Sequence, residues 1–340
     1  MCVNIFHSIM NNTKILVTGG AGFLGHHVIE GIFKNTDWDV VSLDRLDTSG
    51  NLNRLTDIED WEKYKHRLKF VYHDLKSPIT FLDKDFTYCI HLAASSHVDR
   101  SIINPQEFVL DNVLGTTNLL WAMRDMPKLE KVIVFGTDEV WGTAPEGVFY
   151  DEWDGYNSGN PYSASKAGAD EMAKAFANTY KLPVIVTNTM NIYGERQHSE
   201  KFIPLVIKKV LNKETLQIHS NPEKTKAGQR HYLHARNVWQ ALKFILEKAP
   251  TLDNTRLNGK YNIVGEKEVD NLTLALMIAD FIGDKLNYEL VDFHSSRPGH
   301  DLRYAISDQR LAELGYQHPV GFEDSLKKTV QWYLQNPNWL

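Results

Sequence analysis

A tyrosine and a lysine four positions apart, Tyr162 and Lys166, are the residues of this chain best suited to proton transfer. They stand at the start of an alanine-rich segment, residues 167–180, that has helical character. On a helix, positions i and i+4 share a face, so the ammonium is expected near the phenol. A positive charge there lowers the pKa of the phenol and makes tyrosinate available as a base. Taken alone, the pattern is more typical of a surface pair on an ordinary helix.

Three polar residues, Thr137, Asp138 and Glu139, follow an apolar run of the sequence. The run, residues 131–135, is rich in β-branched side chains, which predicts a buried strand that ends at Gly136. The threonine hydroxyl would complete a catalytic set with the tyrosine and the lysine. The other interpretation is a helix N-cap followed by two acidic side chains that suit the helix dipole. The glycine pattern described next favours the catalytic interpretation.

A glycine pattern near the start of the chain predicts a dinucleotide site. Gly19, Gly22 and Gly25 directly follow a predicted strand, residues 14–18, and precede a predicted helix, residues 26–34. The first glycine permits a tight turn, the second lets backbone N–H groups approach a pyrophosphate, and the third lets helix and strand pack closely. The order of strand, glycine turn and helix distinguishes this fingerprint from a chance match.

The second predicted strand, residues 39–44, ends in Asp44, where the fingerprint expects a ribose ligand. A carboxylate there accepts hydrogen bonds from the adenosine ribose and repels the 2′-phosphate of NADP, so we predict NAD as the cofactor. Arg45 beside it weakens this preference. The predicted cofactor contacts are Gly19, Gly22, Phe23, Leu24, Gly25, Asp44, Asp74, Leu75, Ala93, Tyr162 and Lys166.

Further strands are predicted at residues 68–72, 88–92 and 183–186, and they alternate with helical segments. This alternation predicts an α/β fold, a Rossmann-type doubly wound parallel sheet whose ligands bind at the carboxyl ends of the strands. After residue 190 the alternation loosens. We therefore predict an NAD-binding Rossmann domain and a smaller α/β C-terminal substrate domain. The first would hold residues 13–190, rejoined by residues 231–250, and the second would hold residues 191–230 and 251–340.

Composition and charge exclude several classes of protein. The 340 residues carry a net charge of −6 with scattered Lys and Arg, so nucleic acid is not an expected partner. Two cysteines, Cys2 and Cys89, are too few for a disulfide framework and suit a reducing compartment, with Cys89 expected in the core. With no apparent signal peptide or membrane-spanning run, a soluble cytoplasmic protein is expected. The histidines show no zinc pattern, so no metal is predicted, and His26 and His27 are expected on a helix surface.

Together these residues resemble the extended short-chain dehydrogenase/reductase family. Residues 137–142, Thr-Asp-Glu-Val-Trp-Gly, are similar to the T-D-E-V-Y-G motif of its nucleotide-sugar 4,6-dehydratases. The resemblance implies an NAD-dependent hydro-lyase that converts UDP-glucose, dTDP-glucose or UDP-N-acetylglucosamine to the 4-keto-6-deoxy sugar. The other matching segments, in the family's order, are residues 96–102, 191–194, 200–204 and 297–306.

One segment departs from the family's pattern. Thymidine-sugar enzymes usually carry a short glycine-containing turn and then R-D-W-L-Y-V-x-D, whereas this chain has residues 221–228 and then Arg230-His231-Tyr232. Because that segment lies near the nucleotide base in the family, thymine and uracil both stay open. The resemblance implies that Arg230 and Arg297 bind the diphosphate, because a guanidinium can bind phosphate oxygens bidentately. For either arginine, the alternative role is a surface salt bridge. The implied substrate-binding residues are Ser96, His97, Asn191, Glu200, Lys201, Arg230, Arg297 and His300.

The resemblance also implies the role of each catalytic residue. Tyr162, its pKa lowered by Lys166 and by bound NAD, takes the C4 hydroxyl proton as hydride leaves C4, and Thr137 holds the C4 oxygen. Glu139 then removes the C5 proton while Asp138 protonates the departing C6 hydroxyl. Adjacent carboxyl groups with opposite tasks need pKa values pushed apart, so Asp138 is expected to be held protonated in a dry site.

The nearest alternative is a 4-epimerase or a decarboxylase of the same family, which shares the fold, NAD and the tyrosine–lysine pair. Asp138 and Glu139 argue against it, because epimerisation at C4 needs no acid at C6 and no base at C5. A non-catalytic NAD-sensing protein is the alternative from another class, and the intact catalytic set disfavours it. Residues 105–123 and 167–180 resemble the helices that pair in the family's dimers, so a homodimer is expected.

Overall fold

The computed structural model of the protein describes residues 13–253, 255, 258–292 and 303–340. The strands in chain order are β1 (Lys14–Thr18), β2 (Asp39–Asp44), β3 (Leu68–Tyr72), β4 (Tyr88–His91), β5 (Lys131–Thr137), β6 (Val184–Thr189), β7 (Asn191–Tyr193), β8 (Leu216–Ser220), β9 (Gln229–His234), β10 (Lys260–Ile263), β11 (Glu268–Asp270) and β12 (Tyr288–Asp292). The helices are α1 (Phe23–Asn35), α2 (Asn53–Thr56), α3 (Trp61–Tyr64), α4 (Val98–Ile103), α5 (Pro105–Phe108), α6 (Gly115–Met123), α7 (Pro161–Tyr180), α8 (Phe202–Leu211), α9 (Ala235–Lys248), α10 (Asn271–Ile282), α11 (Gln309–Glu313) and α12 (Phe322–Gln335). A π-helix (Val109–Leu114) joins α5 to α6, and short 3-10 turns cover Lys65–Arg67, Asp138–Trp141 and Pro337–Trp339.

A seven-stranded sheet with the order β10-β6-β5-β4-β1-β2-β3 forms the centre of the molecule. Each neighbouring pair in it is parallel. The strand order reverses between β1 and β4, and in such sheets the ligand crevice lies at that point, beyond the carboxyl ends of the strands. The predicted Rossmann-type doubly wound sheet is therefore confirmed.

Helices cover both faces of the sheet because side chains alternate along each strand. Ile15 and Val17 of β1 pack with residues of α1 and α9, whereas Leu16 packs on the other face with residues of α6 and α7. The contact between α1 and α9 is close, since a Cβ on Gly31 would lie 2.2 Å from the ring of Trp239. Apolar runs buried on both faces explain why these strands read as continuous hydrophobic segments.

A second, smaller group of elements surrounds its own apolar core. It contains a three-stranded sheet, β11-β9-β7, a two-stranded sheet, β12-β8, and the helices α8, α10 and α12. One part of the predicted division is wrong, because β10 lies within residues 251–340 and yet pairs with β6 in the seven-stranded sheet. A buried strand of four residues carries no pattern that shows which sheet it joins. The rest of the two-domain division remains a prediction.

The prediction that His26 and His27 lie on a helix surface is wrong, because both side chains are buried. The segment after β7 covers them, and His27 Nε2 lies 3.0 Å from the backbone oxygen of Glu195. The Glu195 carboxylate also lies 3.1 Å from Nε2 of His234. The pattern of α1 shows only that one face is apolar, so it cannot reveal that a distant segment covers another face.

Cys89 is buried in β4, and Cys2 lies outside the described residues. In the part of the chain that the structure describes, no helix is both long and apolar enough to span a membrane. The same residues hold no group of three or more His, Cys, Asp or Glu side chains arranged to bind a metal ion.

Candidate active site

The end of β5 places the first group of predicted catalytic residues at the carboxyl edge of the sheet. Thr137 is the last residue of the strand, and Asp138 and Glu139 begin the 3-10 turn that follows. The Thr137 hydroxyl accepts a hydrogen bond from the Glu139 backbone N–H at 3.3 Å and donates to Asp138 Oδ1 at 3.2 Å. Thr137 is therefore the N-cap of this turn, as one interpretation of the sequence expected, and its catalytic role remains a prediction.

The start of α7 places the second group beside the first. Asn160 caps the helix, and its side chain accepts from the Ser163 backbone N–H at 2.9 Å. Asn160 Nδ2 also donates to Glu139 Oε2 at 3.3 Å, which links the helix start to the turn after β5. Tyr162 and Lys166 lie in the first turns of α7, and both are buried. The structure thus brings the two predicted groups together.

The pKa of Tyr162 is raised in the chain by itself, and its lowering by Lys166 together with bound NAD remains a prediction. Burial and the Glu139 carboxylate raise the pKa of Tyr162, and a hydrogen bond with the Thr137 side chain only partly offsets them. The Lys166 ammonium donates to the backbone carbonyl of Phe135 at 2.6 Å. In the chain by itself, the cost of removing a phenolate from water therefore exceeds the help of the ammonium.

Asp138 meets the expectation for a general acid. Burial and the Glu139 charge raise the pKa of Asp138 to about 7, against a lowering influence of Arg230. Its Oδ2 has no hydrogen-bond partner among the described residues. A carboxyl group with this pKa retains a proton near neutral pH and can deliver it to a leaving group. The predicted rise in the pKa of Asp138 is confirmed.

The glycine turn between β1 and α1 is tightly packed. Gly19 has a φ of 72°, and a Cβ on it would lie 2.8 Å from the backbone nitrogen of Ala93. A Cβ on Gly25 would lie 2.1 Å from the carbonyl oxygen of Gly19. Gly22 is the N-cap of α1, so the helix starts directly at the turn. Backbone N–H groups at such a helix start form the usual site for a pyrophosphate.

Asp44 ends β2 beside this turn. Its carboxylate accepts hydrogen bonds from the backbone N–H of Ala21 and of a second residue, at 3.0 and 2.8 Å. Arg45 bonds the carboxylates of Asp47 and Asp111, so its charge is matched within the chain. A fixed carboxylate and an engaged arginine fit the ribose of NAD better than the 2′-phosphate of NADP.

The remaining predicted cofactor contacts lie around the same edge of the sheet. Phe23 and Leu24 form the first turn of α1, Asp74 and Leu75 follow β3, and Ala93 follows β4. Leu75 is buried, and the backbone N–H of Ala93 donates to a β1 side chain at 3.2 Å. Their position fits the prediction, and their contact with NAD remains a prediction.

Arg230 is a predicted substrate residue that lies near the predicted catalytic carboxyl groups. It lies on β9, close enough to Asp138 to influence the pKa of that residue. Its guanidinium also stacks over the ring of Tyr304, with 4.6 Å between the guanidinium carbon and the ring centroid. This location suits a side chain that binds a charged part of the substrate near the reacting sugar.

Four other predicted substrate residues lie in two neighbouring segments, with Ser96 and His97 in one and Glu200 and Lys201 in the other. Ser96 and His97 precede α4, and burial together with the charge of Lys201 lowers the pKa of His97. The Glu200 carboxylate lies 3.9 Å from an Arg100 nitrogen. Asn191 begins β7 and is exposed, whereas Arg297 and His300 lie outside the described residues.

Two asparagines that organise the site escaped the sequence analysis. Asn160 had a readable signal, because a capping residue with a serine three positions later is typical of a helix start. Asn112 lies in the π-helix, and its Nδ2 donates to Ser165 Oγ at 2.8 Å and to the Ser95 carbonyl at 3.0 Å. It thereby joins α7 to the segment after β4. A π-helix has no comparable local signal in a sequence.

Known proteins share this fold and the order of its motifs. The model of the GDP-mannose 4,6 dehydratase family matches residues 16–329. Over 350 residues the chain is 36% identical to the dTDP-glucose 4,6-dehydratase of Shigella flexneri, covering 96% of this chain and 94% of that protein. Over 344 residues it is 38% identical to the dTDP-glucose 4,6-dehydratase of Neisseria gonorrhoeae, covering 95% of this chain and 96% of that protein.

Solved structures agree with these relatives. DesIV, the dTDP-glucose 4,6-dehydratase of Streptomyces venezuelae with NAD bound, gives a TM-score of 0.82 at 33% identity, covering 96% of this chain and 98% of that one. The dTDP-glucose 4,6-dehydratase of Bacillus anthracis str. Ames in complex with NAD gives 0.81 at 31% identity, with the same coverage. A UDP-glucose 4-epimerase from Thermus thermophilus is more distant, with 0.79 at 25% identity, covering 95% of this chain and 99% of that one.

The fold and the Thr–Tyr–Lys set define an extended short-chain dehydrogenase/reductase. Within that class, the chain belongs to the GDP-mannose 4,6 dehydratase family. Membership of this family confirms the predicted family, the NAD cofactor and the NAD-dependent 4,6-dehydratase activity.

Proposed function

We propose that Tyr162 and Lys166 assist the oxidation of C4 of a nucleotide hexose by bound NAD, while Asp138 and Glu139 remove water across C5 and C6. The product is the 4-keto-6-deoxy sugar. The observation that carries this proposal is the carboxyl pair beside the tyrosine, in which Asp138 is buried and has its pKa raised to about 7, while Glu139 is half-buried. Elimination needs an acid and a base in addition to the oxidising pair, whereas epimerisation at C4 does not.

The oxidation step depends on the start of α7 and the end of β5. Bound NAD supplies a hydride acceptor for C4 and a hydride donor for C6, and the glycine turn and Asp44 would hold it. Tyr162 takes the proton of the C4 hydroxyl, and the Thr137 hydroxyl holds the C4 oxygen beside it. The Lys166 ammonium favours the tyrosinate that this step requires.

The elimination step depends on the two carboxyl groups. The new 4-ketone acidifies the C5 hydrogen, which Glu139 removes as a base. Asp138 gives its proton to the C6 hydroxyl, which leaves as water. The raised pKa of Asp138 keeps this proton available, and Arg230 nearby lies where a diphosphate oxygen could be bound.

We propose dTDP-glucose as the first substrate to test, because the relatives at 36% and 38% identity are named dTDP-glucose 4,6-dehydratases. The departure at residues 221–228 and in the segment 230–237 that follows keeps UDP-glucose and UDP-N-acetylglucosamine as further candidates. The experiment is to incubate the NAD-loaded protein with each sugar and weigh the product by mass spectrometry. Loss of one water from the sugar supports dehydration, and an isomer of unchanged mass would support epimerisation instead.

A homodimer through the helices around α6 and α7 is also proposed. Large apolar side chains on these helices are exposed in the single chain, although such residues usually find a partner surface. Trp121 is 51% exposed and packs edge-on against Tyr180, which is 43% exposed. The other exposed apolar residues there are Val109, Leu110 and Leu114. Light scattering at micromolar concentration tests this, and a monomer would contradict it.

We also propose a cytoplasmic location for the protein. We further propose that the chain is divided into an NAD-binding domain and a nucleotide-sugar-binding domain. The location rests on the low cysteine content. The division is supported by the separate core of the second group of elements.

A further inference from the structure

A chain of buried polar side chains runs behind the catalytic helix. Asp170 follows Lys166 by one helical turn on α7, and it is 0% exposed. Its Oδ2 accepts hydrogen bonds from the Tyr156 hydroxyl at 2.8 Å and from Asn188 Nδ2 at 3.1 Å. The Tyr156 hydroxyl accepts one from the ammonium of Lys260 at 3.0 Å. The hydrogen bonds therefore connect Lys260 on β10 to Asp170.

Lys260 occupies an aromatic box at the far end of this chain. The Lys260 side chain is only 2% exposed, and lysines are rarely buried to this extent unless their ammonium group has partners. Its ammonium donates to the Glu152 carbonyl and lies 5.3, 5.2 and 4.7 Å from the ring centroids of Trp141, Trp153 and Tyr156. Cation–π contacts of this kind stabilise an ammonium that has left water. Lys260 therefore supplies a buried positive charge.

Asn188 joins the chain of side chains to the catalytic turn. Its Nδ2 donates both to Asp170 Oδ2 and to the backbone carbonyl of Thr137, each at 3.1 Å. The fit is tight, since a Cβ on Gly136 would lie 2.4 Å from this nitrogen. The Asp170 charge also reaches the catalytic pair, because it raises the pKa of both Lys166 and Tyr162.

We propose that Asp170 is a positioning residue which, with Tyr156 and Lys260, fixes the end of β5 and balances the buried charge of Lys166. The inference rests on the proposed function, because it takes Tyr162 and Lys166 as the pair that oxidises C4. Burial raises the pKa of Asp170, and the ammonium groups of Lys166 and Lys260 oppose this rise. Burial lowers the pKa of Lys166, and the Asp170 charge opposes that change in turn. The titratable and charged groups around Asp170 are Tyr162, Lys166, Glu171 and Lys174 on α7, Glu152 and Tyr156 before it, and Lys260 on β10.

The Asp170→Asn variant separates charge from shape. Its amide oxygen can take the place of Oδ2 and keep both hydrogen bonds, since Oδ1 has no partner among the described residues. Loss of the negative charge lowers the pKa of Tyr162, so the rise of the rate with pH should move to lower pH. A single charge in a protein interior changes a nearby pKa by about one unit. The measurement is the rate of NADH formation against pH in the NAD-loaded protein with dTDP-glucose.

Glu171→Gln is the matched control, because it removes a carboxylate from the exposed side of the same helix. It should leave the pH profile in place. A uniform loss of rate in Asp170→Asn without a shift in pH would contradict the proposal and indicate a packing role only. An upward shift would contradict it as well.

Failure of the proposed function has a different signature. In that case the unaltered protein forms no NADH from dTDP-glucose, UDP-glucose or UDP-N-acetylglucosamine. The charge effect is then read by ultraviolet titration of Tyr162 in the NAD complex, with the Tyr162→Phe protein subtracted. A lower titration pH of this phenol in Asp170→Asn supports the inference, and an unchanged one overturns it.

Lys260→Met gives a second test that does not require Asp170→Asn to fold. Without the Lys260 ammonium, the Asp170 carboxylate keeps Lys166 as a positive neighbour but loses a second one, so its pKa rises further and the folded state takes up a proton as the pH falls. The thermal midpoint should therefore drop at about pH 7.5, and the deficit should shrink at about pH 5. Lys243→Met, which removes an ammonium paired with Glu247 on α9, should show no such pH dependence. An equal deficit for Lys260→Met at both pH values would contradict the role of Lys260.

Discussion

Burial acts on the two proposed catalytic groups with opposite consequences. At the end of β5 it raises the pKa of Asp138 to about 7, which suits a group that must donate a proton. At the start of α7 it raises the pKa of Tyr162, which opposes a group that must accept one. The same loss of water therefore prepares the elimination step and hinders the oxidation step.

The difference shows where each half of the reaction obtains its driving force. The acid needs only its place in the fold, because desolvation and the neighbouring Glu139 charge are present in the chain itself. The base needs added positive charge, which Lys166 and bound NAD would provide. Variants of the two groups should consequently stop the reaction at different points.

Tyr162→Phe should have the largest effect. Without a base for the C4 hydroxyl, NADH formation after mixing with the sugar should fall by about 10⁴-fold, at the upper end for loss of one catalytic group. Tyr288→Phe, at an exposed position on β12, should retain the unaltered rate. NADH formation at a normal rate in Tyr162→Phe would show that α7 does not supply the base.

Glu139→Gln should stop the reaction one step later. NADH should form, but product should appear about 10²- to 10³-fold more slowly because the C5 base is gone. In deuterated solvent this variant should fail to exchange the C5 hydrogen, whereas Asp138→Asn should retain the exchange. Glu146→Gln, an exposed acid in the following loop, is the control. Rapid C5 exchange in Glu139→Gln would assign the base to another residue.

Asp44→Asn should have a smaller effect, confined to the cofactor. Loss of charged hydrogen bonds to the ribose should weaken NAD binding by about 10- to 100-fold and reduce the preference over NADP. Direct titration with both cofactors measures this, with Asp39→Asn at the other end of β2 as the control. Tighter binding of NADP than of NAD by the unaltered protein would refute the assignment.

The stability of Asp138→Asn tests the burial argument without any substrate. The pKa of Asp138 is about 7 in the folded chain and about 3.9 when unfolded, so the folded state holds the proton more tightly. Stability is therefore lost as the pH rises from about 4 to about 7. Asp138→Asn should unfold several degrees higher than the unaltered protein at about pH 8 and show no gain at about pH 4. A gain that is equal at both pH values would contradict the raised pKa.

Much of the fold can be predicted from local patterns. β1, β2 and β3 occupy the predicted residues because each is an apolar run with clear polar or glycine boundaries. The motif order also places both catalytic groups at one edge, since parallel strands share their carboxyl ends.

The remaining features depend on contacts between distant segments. β10 joins the large sheet, and His27 lies under a segment 168 residues further along the chain, neither of which a local pattern records. Lysine is normally found at the surface, and yet the Lys260 side chain is buried among aromatic rings. The pKa of Tyr162 could not be predicted from its spacing to Lys166, because spacing shows proximity but not the loss of water.

The central claim is that Tyr162 and Lys166 serve the oxidation at C4, whereas Asp138 and Glu139 serve the elimination of water. A single-turnover experiment with Asp138→Asn tests this claim most directly. The NAD-loaded variant is mixed with dTDP-glucose, and NADH absorbance and product mass are followed together. If Asp138 is the acid, NADH and a 4-keto-hexose should accumulate while water loss slows by about 10²- to 10⁴-fold. If the variant instead forms the 4-keto-6-deoxy sugar as fast as the unaltered protein, Asp138 is not the acid and the proposed elimination is wrong.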